Sequence, residues 1–331
     1  MSIVAFRLEA NSIVGTGHLM RCMTIAQGLR KLNYSCHFLC CKLTRPLNHL
    51  LSRQGNKVHA VDNEKKIHIL IENLRPELLI IDHYELDATY ERKVSGFCKR
   101  ILVIDDLADR SHECDFLLDQ GPLRTIEDYR PWVNGECKFF LGTKFALIKP
   151  EFRQKRKLRI TSWKRGLICF GGSDHSNITL QILKALDDIS HIKEIKWTVL
   201  AGAANPHWGK LKQFANQSSL NITMLKQSDK IGELMANHDF SIGAAGGMTW
   251  ERACIGLPSL TIPITYNQRF GIDEIKHFCL GQTLEVSEIC PNSLAIALGE
   301  LQHRANDYLK RNQIMVDGFG VKRLISKLKF N

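Results

Sequence analysis

Ala5–His18, AFRLEANSIVGTGH, and Leu167–His175, LICFGGSDH, follow one plan: an apolar strand, a glycine turn, then the start of a helix. Working outward from each, the same alternation continues. After the first come a helix over 18–32, CHFLCCKL, a helix near 46–53, KVHAV, a helix near 64–74, ELLIID, a helix over 87–98 and RILVID. After the second come a helix over 176–188, EIKWTVLAG, a helix over 208–216, NITML, a helix over 229–236, FSIGA, a helix over 248–256, PSLTIP and terminal helices from about 291. Strands that alternate with helices build parallel sheets. The expected fold class is therefore α/β, with two doubly wound Rossmann-like domains. They should span 1–150 and 166–331, with 151–165 as a basic linker and the last helix packing back on the N-terminal domain. In such folds ligands sit beyond the carboxyl ends of the strands, where strand order reverses. Two domains can turn those crevices toward one cleft.

Composition agrees with two cores. The chain has 331 residues, 44% hydrophobic and 24% charged, with 23 Gly and 9 Pro, which excludes collagenous and disordered classes. About 150 residues per core is ordinary. The first ten residues carry Arg7 and Glu9 and resemble no secretory leader. No run of about 18 uncharged apolar residues suggests a membrane span. The 11 cysteines are odd in number, and several lie in apolar runs such as CHFLCC, so a reducing cytoplasm is expected. The formal charge of +11 suits several anionic partners. Its densest block, RQKRKLRITSWKR at 153–165, comes without any nucleic-acid signature.

Three glycine turns carry the candidate chemistry. Gly15-Thr16-Gly17-His18 places His18 at the start of a helix whose Leu19, Cys22, Met23, Ala26 and Leu29 share a face. The positive end of that helix favours neutral imidazole, which suits a general base; a plain tight turn before a helix is the alternative. Gly171-Gly172-Ser173-Asp174 could hold a phosphate on backbone N–H groups and the Ser173 hydroxyl, or could be an ordinary capped turn. Gly243-Ala244-Ala245-Gly246-Gly247-Met248-Thr249-Trp250-Glu251 lets a diphosphate approach the backbone, with Glu251 placed to accept from both ribose hydroxyls or merely to favour the helix dipole. Tyr266-Asn267-Gln268 offers two amides for acetamide or phosphate oxygens, or for capping. Asp82-His83-Tyr84 ends an apolar strand at its carboxyl end, in position to line the same cleft, or is a plain strand-terminal turn. The cluster Asp105, Asp106, Asp109, His112 and Asp115 matches no metal motif, so no metal is expected.

The segments FRLEANSIVGTGHLMRC, IIDHYELD, VIDDLADRSHECDFLLDQ, FLGTKFALIKPEF, FGGSDHSN, IGAAGGMTWERACIGLP and NQ, spread over nearly the whole chain, resemble the pseudaminic-acid pathway UDP-sugar hydrolases, the PseG family. That family has a MurG-like fold of the GT-B type. The resemblance implies hydrolysis of UDP-2,4-diacetamido-2,4,6-trideoxy-β-L-altropyranose to UDP and free sugar, on the route to a nonulosonic acid of bacterial surface glycans such as those on flagellin. By that resemblance His18 deprotonates a water that attacks the anomeric carbon with inversion. Gly172, Ser173, Gly246, Gly247, Met248, Thr249 and Glu251 bind UDP, and Asn267 and Gln268 lie near the diphosphate and sugar. Arg7, Gly17, Arg21, His83 and Tyr84 face the sugar. No metal or other cofactor is implied. The partner is a UDP-sugar, with no nucleic acid and no membrane, and the protein is expected to be a monomer or weak oligomer. The family segment R-x-D-A-S stands here as Arg7-Leu8-Glu9-Ala10-Asn11. Glu9 is one methylene longer than Asp, which would shift the sugar pocket and leaves a related diacetamido sugar as an alternative substrate. Two rival readings are a glycosyltransferase of the same fold and a non-catalytic nucleotide-sugar or nucleic-acid binder.

Overall fold

The computed structural model describes residues 2–9, 17–41, 43–133 and 135–328. The chain divides into two compact units: Met1–Lys149 with Phe319–Asn331, and Pro150–Gly318.

In the first unit the order is β1 (Ile3–Leu8), α1 (Gly17–Arg30), β2 (Ser35–Cys41), α2 (Arg45–Arg53), β3 (Lys57–Val61), α3 (Glu64–Leu74), β4 (Leu78–Asp82), α4 (Ala88–Ser95), β5 (Ile101–Ile104), β6 (Phe116–Asp119), α5 (Ile126–Tyr129) and β7 (Lys138–Leu141). The strands form one parallel sheet in the order β3-β2-β1-β4-β5-β6-β7. A parallel sheet is covered on both faces, which is why its strands are continuous apolar runs instead of alternating ones. Val4, Phe6 and Leu8 of β1 pack with Leu19, Cys22, Met23, Ala26 and Leu29 of α1 on one face. On the other, Ala5 packs with Leu39, Ile81, Val103 and the α3 residues Ile67 and Ile71. Two helix starts are capped by short polar side chains: Asn63 accepts from Lys66 N, and Asp87 from Thr89 N and Tyr90 N.

The second unit runs α6 (Pro150–Gln154), β8 (Arg165–Cys169), α7 (Ile178–Asp187), β9 (Lys196–Leu200), α8 (Trp208–Gln217), β10 (Asn221–Leu225), α9 (Ile231–Ala236), β11 (Phe240–Ala244), α10 (Met248–Ile255), β12 (Ser259–Ile262), α11 (Arg269–His277), β13 (Gln282–Thr283), α12 (Pro291–His303) and α13 (Ala305–Met315). Its parallel sheet is ordered β10-β9-β8-β11-β12-β13. The order therefore reverses between β1 and β4 in one unit and between β8 and β11 in the other.

The chain then returns to the first unit as α14 (Gly320–Leu328). Leu324, Ile325 and Leu328 join the core formed by β1 and α1. Gly28 on α1 makes room for them, because a Cβ there would stand 2.6 Å from Ile325 Cδ1.

The basic segment 151–165, read from sequence as a linker, belongs to the second unit. Arg156 donates to the carbonyls of Cys254, Gln313 and Val316, Lys157 donates to Ala236 O at 2.6 Å, and the Asn306 amide pairs with both backbone groups of Ile160. Arg156 and Lys157 thus cap helix carbonyls, while Arg159, Lys164 and Arg165 are exposed. Among the described residues no helix is long and apolar enough to cross a membrane.

Candidate active site

At the reversal point of the first unit, the helix start of α1 meets the carboxyl end of β4. His18, only 5% exposed, is the second residue of α1, and its Nδ1 hydrogen-bonds Asp82 Oδ1. Asp82 is fully buried. Arg21, one turn along α1, holds the same carboxylate through Nε at 2.7 Å and Nη2 at 2.5 Å, and its Nη1 reaches Asp106 at 3.0 Å. Burial alone would raise the Asp82 pKa, but the Arg21 and His18 charges and hydrogen bonds outweigh it and hold the carboxyl well below its ordinary range. A carboxylate against Nδ1 makes that nitrogen the donor, so in a neutral ring Nε2 is the acceptor. The Tyr84 ring stands edge-on to the imidazole, 4.6 Å between centroids.

The neighbouring group is built on Arg7 of β1. Its guanidinium is buried and closes on Glu64, on Glu9 Oε1 at 3.2 Å and on the Leu8 carbonyl at 2.8 Å. The ligand atoms of Glu9, Cys41 and Glu64 lie within 4.8 Å of one another; because Arg7 bonds both carboxylates, the geometry makes them its counter-charge. His83 Nε2 lies 4.0 Å from Glu9. Burial, with help from the positive charges of Arg7 and His18, pushes the His83 pKa down to about 4, and its Nδ1 accepts from Glu85 N. His83 is thus a neutral donor through Nε2.

At the reversal point of the second unit two glycine loops leave β8 and β11. Gly171 has φ +94°, a left-handed conformation open to glycine. The loop after β9 presses on this turn: a Cβ at Gly202, itself at φ +94°, would overlap the carbonyls of Gly171 and Gly172. Asp174, 3% exposed, uses both oxygens to cap α7, accepting from Ile178 N and Thr179 N at 2.9 Å. That helix start is therefore filled by the chain itself. Helix α10 starts differently: Gly247 precedes it without a side-chain cap, is exposed, and has open space where a Cβ would stand. Gly246 faces the Gln268 amide, 3.7 Å from a Cβ built there, and Gln268 Oε1 accepts from Ile264 N.

The structure thus brings His18, Arg21, His83 and Tyr84 together in the first unit, with Gly17 exposed at the start of α1. It brings Gly246, Gly247, Met248, Thr249, Glu251 and Gln268 together in the second, and Gly172 and Ser173 follow the neighbouring strand β8. Arg7 lies beneath its site, fully engaged. Gly15, Thr16, Ala10 and Asn11 lie outside the described residues, as does the Asn267 side chain. Sequence reasoning placed Asp82 at a strand end lining the cleft but missed it as the partner of His18, 64 positions away. The available signal was an acid at the carboxyl end of the strand beside the reversal point. The acidic cluster around Asp105 is spent on neighbours: Asp105 and Asp109 on Arg110, Asp106 on Arg21, Asp115 on Ile101 N and His112 on Glu91.

Residues 167–328 match the glycosyltransferase family 28 C-terminal domain. MurG of Acinetobacter baumannii superposes with a TM-score of 0.68 over 99% of both chains, at 13% identity. The fold is GT-B. Among sequence relatives, the GT-B chain described here is 29% identical to the UDP-2,4-diacetamido-2,4,6-trideoxy-beta-L-altropyranose hydrolase of Campylobacter jejuni, over 75% of this chain and 86% of that protein. It is 24% identical to an uncharacterized protein of Methanocaldococcus jannaschii over 82% of this chain, and spans only 57% of that protein's length.

Proposed function

We propose that the protein hydrolyses a UDP-linked diacetamido-trideoxy sugar, UDP-2,4-diacetamido-2,4,6-trideoxy-β-L-altropyranose, to UDP and the free sugar. The observation that carries this reading is the buried His18–Asp82–Arg21 constellation at a GT-B reversal point, in a chain similar to a hydrolase of that name. His18 Nε2 takes a proton from water, the hydroxide oxygen bonds to the anomeric carbon from the face opposite UDP, and the bond from that carbon to the diphosphate oxygen breaks. UDP leaves with the electron pair and the sugar inverts. The Asp82 carboxylate stabilises the imidazolium, which then releases its proton to solvent. His83, Tyr84 and Glu9 line the sugar side. On the nucleotide side Glu251 takes the ribose hydroxyls, and the open start of α10 with Gly246 and Gly247 receives the diphosphate, stabilising it as it departs.

The test is incubation with the UDP-diacetamido-altrose sugar in EDTA, without acceptor, following UDP and free sugar by NMR. Release of both with inverted anomeric configuration is expected. Tight UDP binding without release would sink the hydrolase reading. It would favour a glycosyltransferase, which the family 28 domain match supports independently.

A further inference from the structure

Arg252, the residue after Glu251, is 2% exposed. Its guanidinium donates to the Ala244 carbonyl at 2.9 Å, to Thr249 Oγ1 at 3.3 Å and to Thr261 Oγ1 at 3.5 Å, all neutral acceptors. Its Nε is buried without a hydrogen-bond partner. Ion pairs among the described residues of the second unit include Lys155 and Lys230 with Glu233 and Arg165 with Asp239, and none of these involves Arg252. The first unit treats its arginines differently: Arg7 and Arg21 each close on two carboxylates. The neighbouring Glu251 carboxylate attracts it through space, but no carboxylate hydrogen-bonds the guanidinium, and a buried cation so weakly offset is costly to keep. Burial accordingly pushes the guanidinium down to about 10.

The position of the charge indicates what offsets that cost. A Cβ at Gly243 would overlap both the guanidinium and the carbonyl of Cys169. The charge therefore lies between the carboxyl ends of β8 and β11, where strand order reverses, beneath the loop that opens α10. The cavity beside it, lined by Thr249, Ser259, Thr261 and Asn312, measures about 10 Å³, room for one water at most and none for an oxyanion. An anion that adds to the pull of Glu251 has room only on the other side of the loop, at the open start of α10.

We propose that Arg252 is the buried counter-charge of the nucleotide site, a positioning residue that acts through the Gly243–Thr249 loop to set the affinity for the diphosphate without touching it. This rests on the nucleotide reading above. It assigns the selectivity for a diphosphate over a neutral nucleoside to a side chain that a contact map of the ligand would omit.

The test is calorimetric titration of uridine, UMP and UDP into the wild-type chain and into Arg252→Met, Arg252→Gln and Arg252→Lys. With the charge removed, UDP affinity should fall roughly 10- to 100-fold, as expected for a cation several ångströms from a diphosphate in a partly desolvated site. UMP should lose less, uridine should stay within about 2-fold by the same argument, and R252K should retain most of the UDP affinity. The unliganded melting temperature of R252M should not drop, since the variant removes an unpaired buried charge. R252Q, which can still donate to Ala244 O, carries the comparison if R252M does not fold. Equal losses for uridine and UDP, or an R252K as impaired as R252M, would make Arg252 a loop brace and overturn the proposal. Failure of the wild-type chain to bind any of the three ligands would instead remove the nucleotide reading, and this inference with it.

Discussion

At the scale of single residues, the proposed chemistry depends on one imidazole being held by one carboxylate. His18→Ala should lower turnover by roughly 10²- to 10⁴-fold while UDP affinity stays within a few-fold, measured by steady-state kinetics beside calorimetry. Asp82→Asn keeps the shape and loses the charge, so a fall in kcat of similar order is expected with KM nearly unchanged. An unaltered kcat in either variant would take that residue out of the mechanism. Histidines also set the acid limit of the fold. Burial holds His83 down to about 4, as do burial and the adjoining His59 and Lys57 for His37, from an ordinary 6.5. Between those values the unfolded chain binds protons that the folded chain refuses, so stability is full above about 6.5 and falls as pH drops toward about 4. Thermal melts across that window should show the decline, and His37→Gln should flatten it. Residue types were legible from sequence; their pairings were not. His18 and Asp82 are 64 positions apart, and Arg7 and Glu64 are 57 apart, so only the sheet order joins them.

At the scale of elements, the two ends of the β11–α10 connection make opposite demands on glycine. Gly243 has no room, since an added methyl would meet backbone and a buried guanidinium; Gly243→Ala should cost roughly 1–3 kcal/mol of stability. Gly247 has open space, so Gly247→Ala should leave the melting temperature within about 1 °C while weakening UDP by intruding on the anion's approach. Denaturation curves paired with titrations separate the two; a Gly247→Ala variant that binds UDP normally would move the diphosphate elsewhere. Most of the strand and helix alternation was readable because buried parallel strands announce themselves as apolar runs. Strands β6 and β7 were not read as elements. Each has only four residues, and neither leads into a helix long enough to show a period: Ile126–Tyr129 has four residues and Thr143–Phe145 three. The 153–165 block misled for a different reason: charge density says nothing about whether a cation ends in water or on a helix carbonyl, and Arg156 found three carbonyls.

At the scale of the whole molecule, the first unit is built from two separated stretches and the second from one. A fragment covering 150–318 should therefore fold cooperatively by itself, whereas 1–149 should not reach its native sheet packing without α14, whose Leu324, Ile325 and Leu328 are core residues. Circular dichroism melts of the two fragments, and of the first with residues 319–331 supplied as a peptide, check this. A cooperative transition in 1–149 alone would show that α14 is dispensable.

That interrupted arrangement also fixes an order in time. On the ribosome the seven-stranded sheet is synthesised first, yet the helix that covers one side of its core is the last secondary structure described in the chain. At translation rates of about 5–20 residues per second, the apolar face awaiting α14 stays uncovered for roughly 10 s or more while the second unit emerges and closes. The nascent first half is thus the stage at which this protein most needs a chaperone.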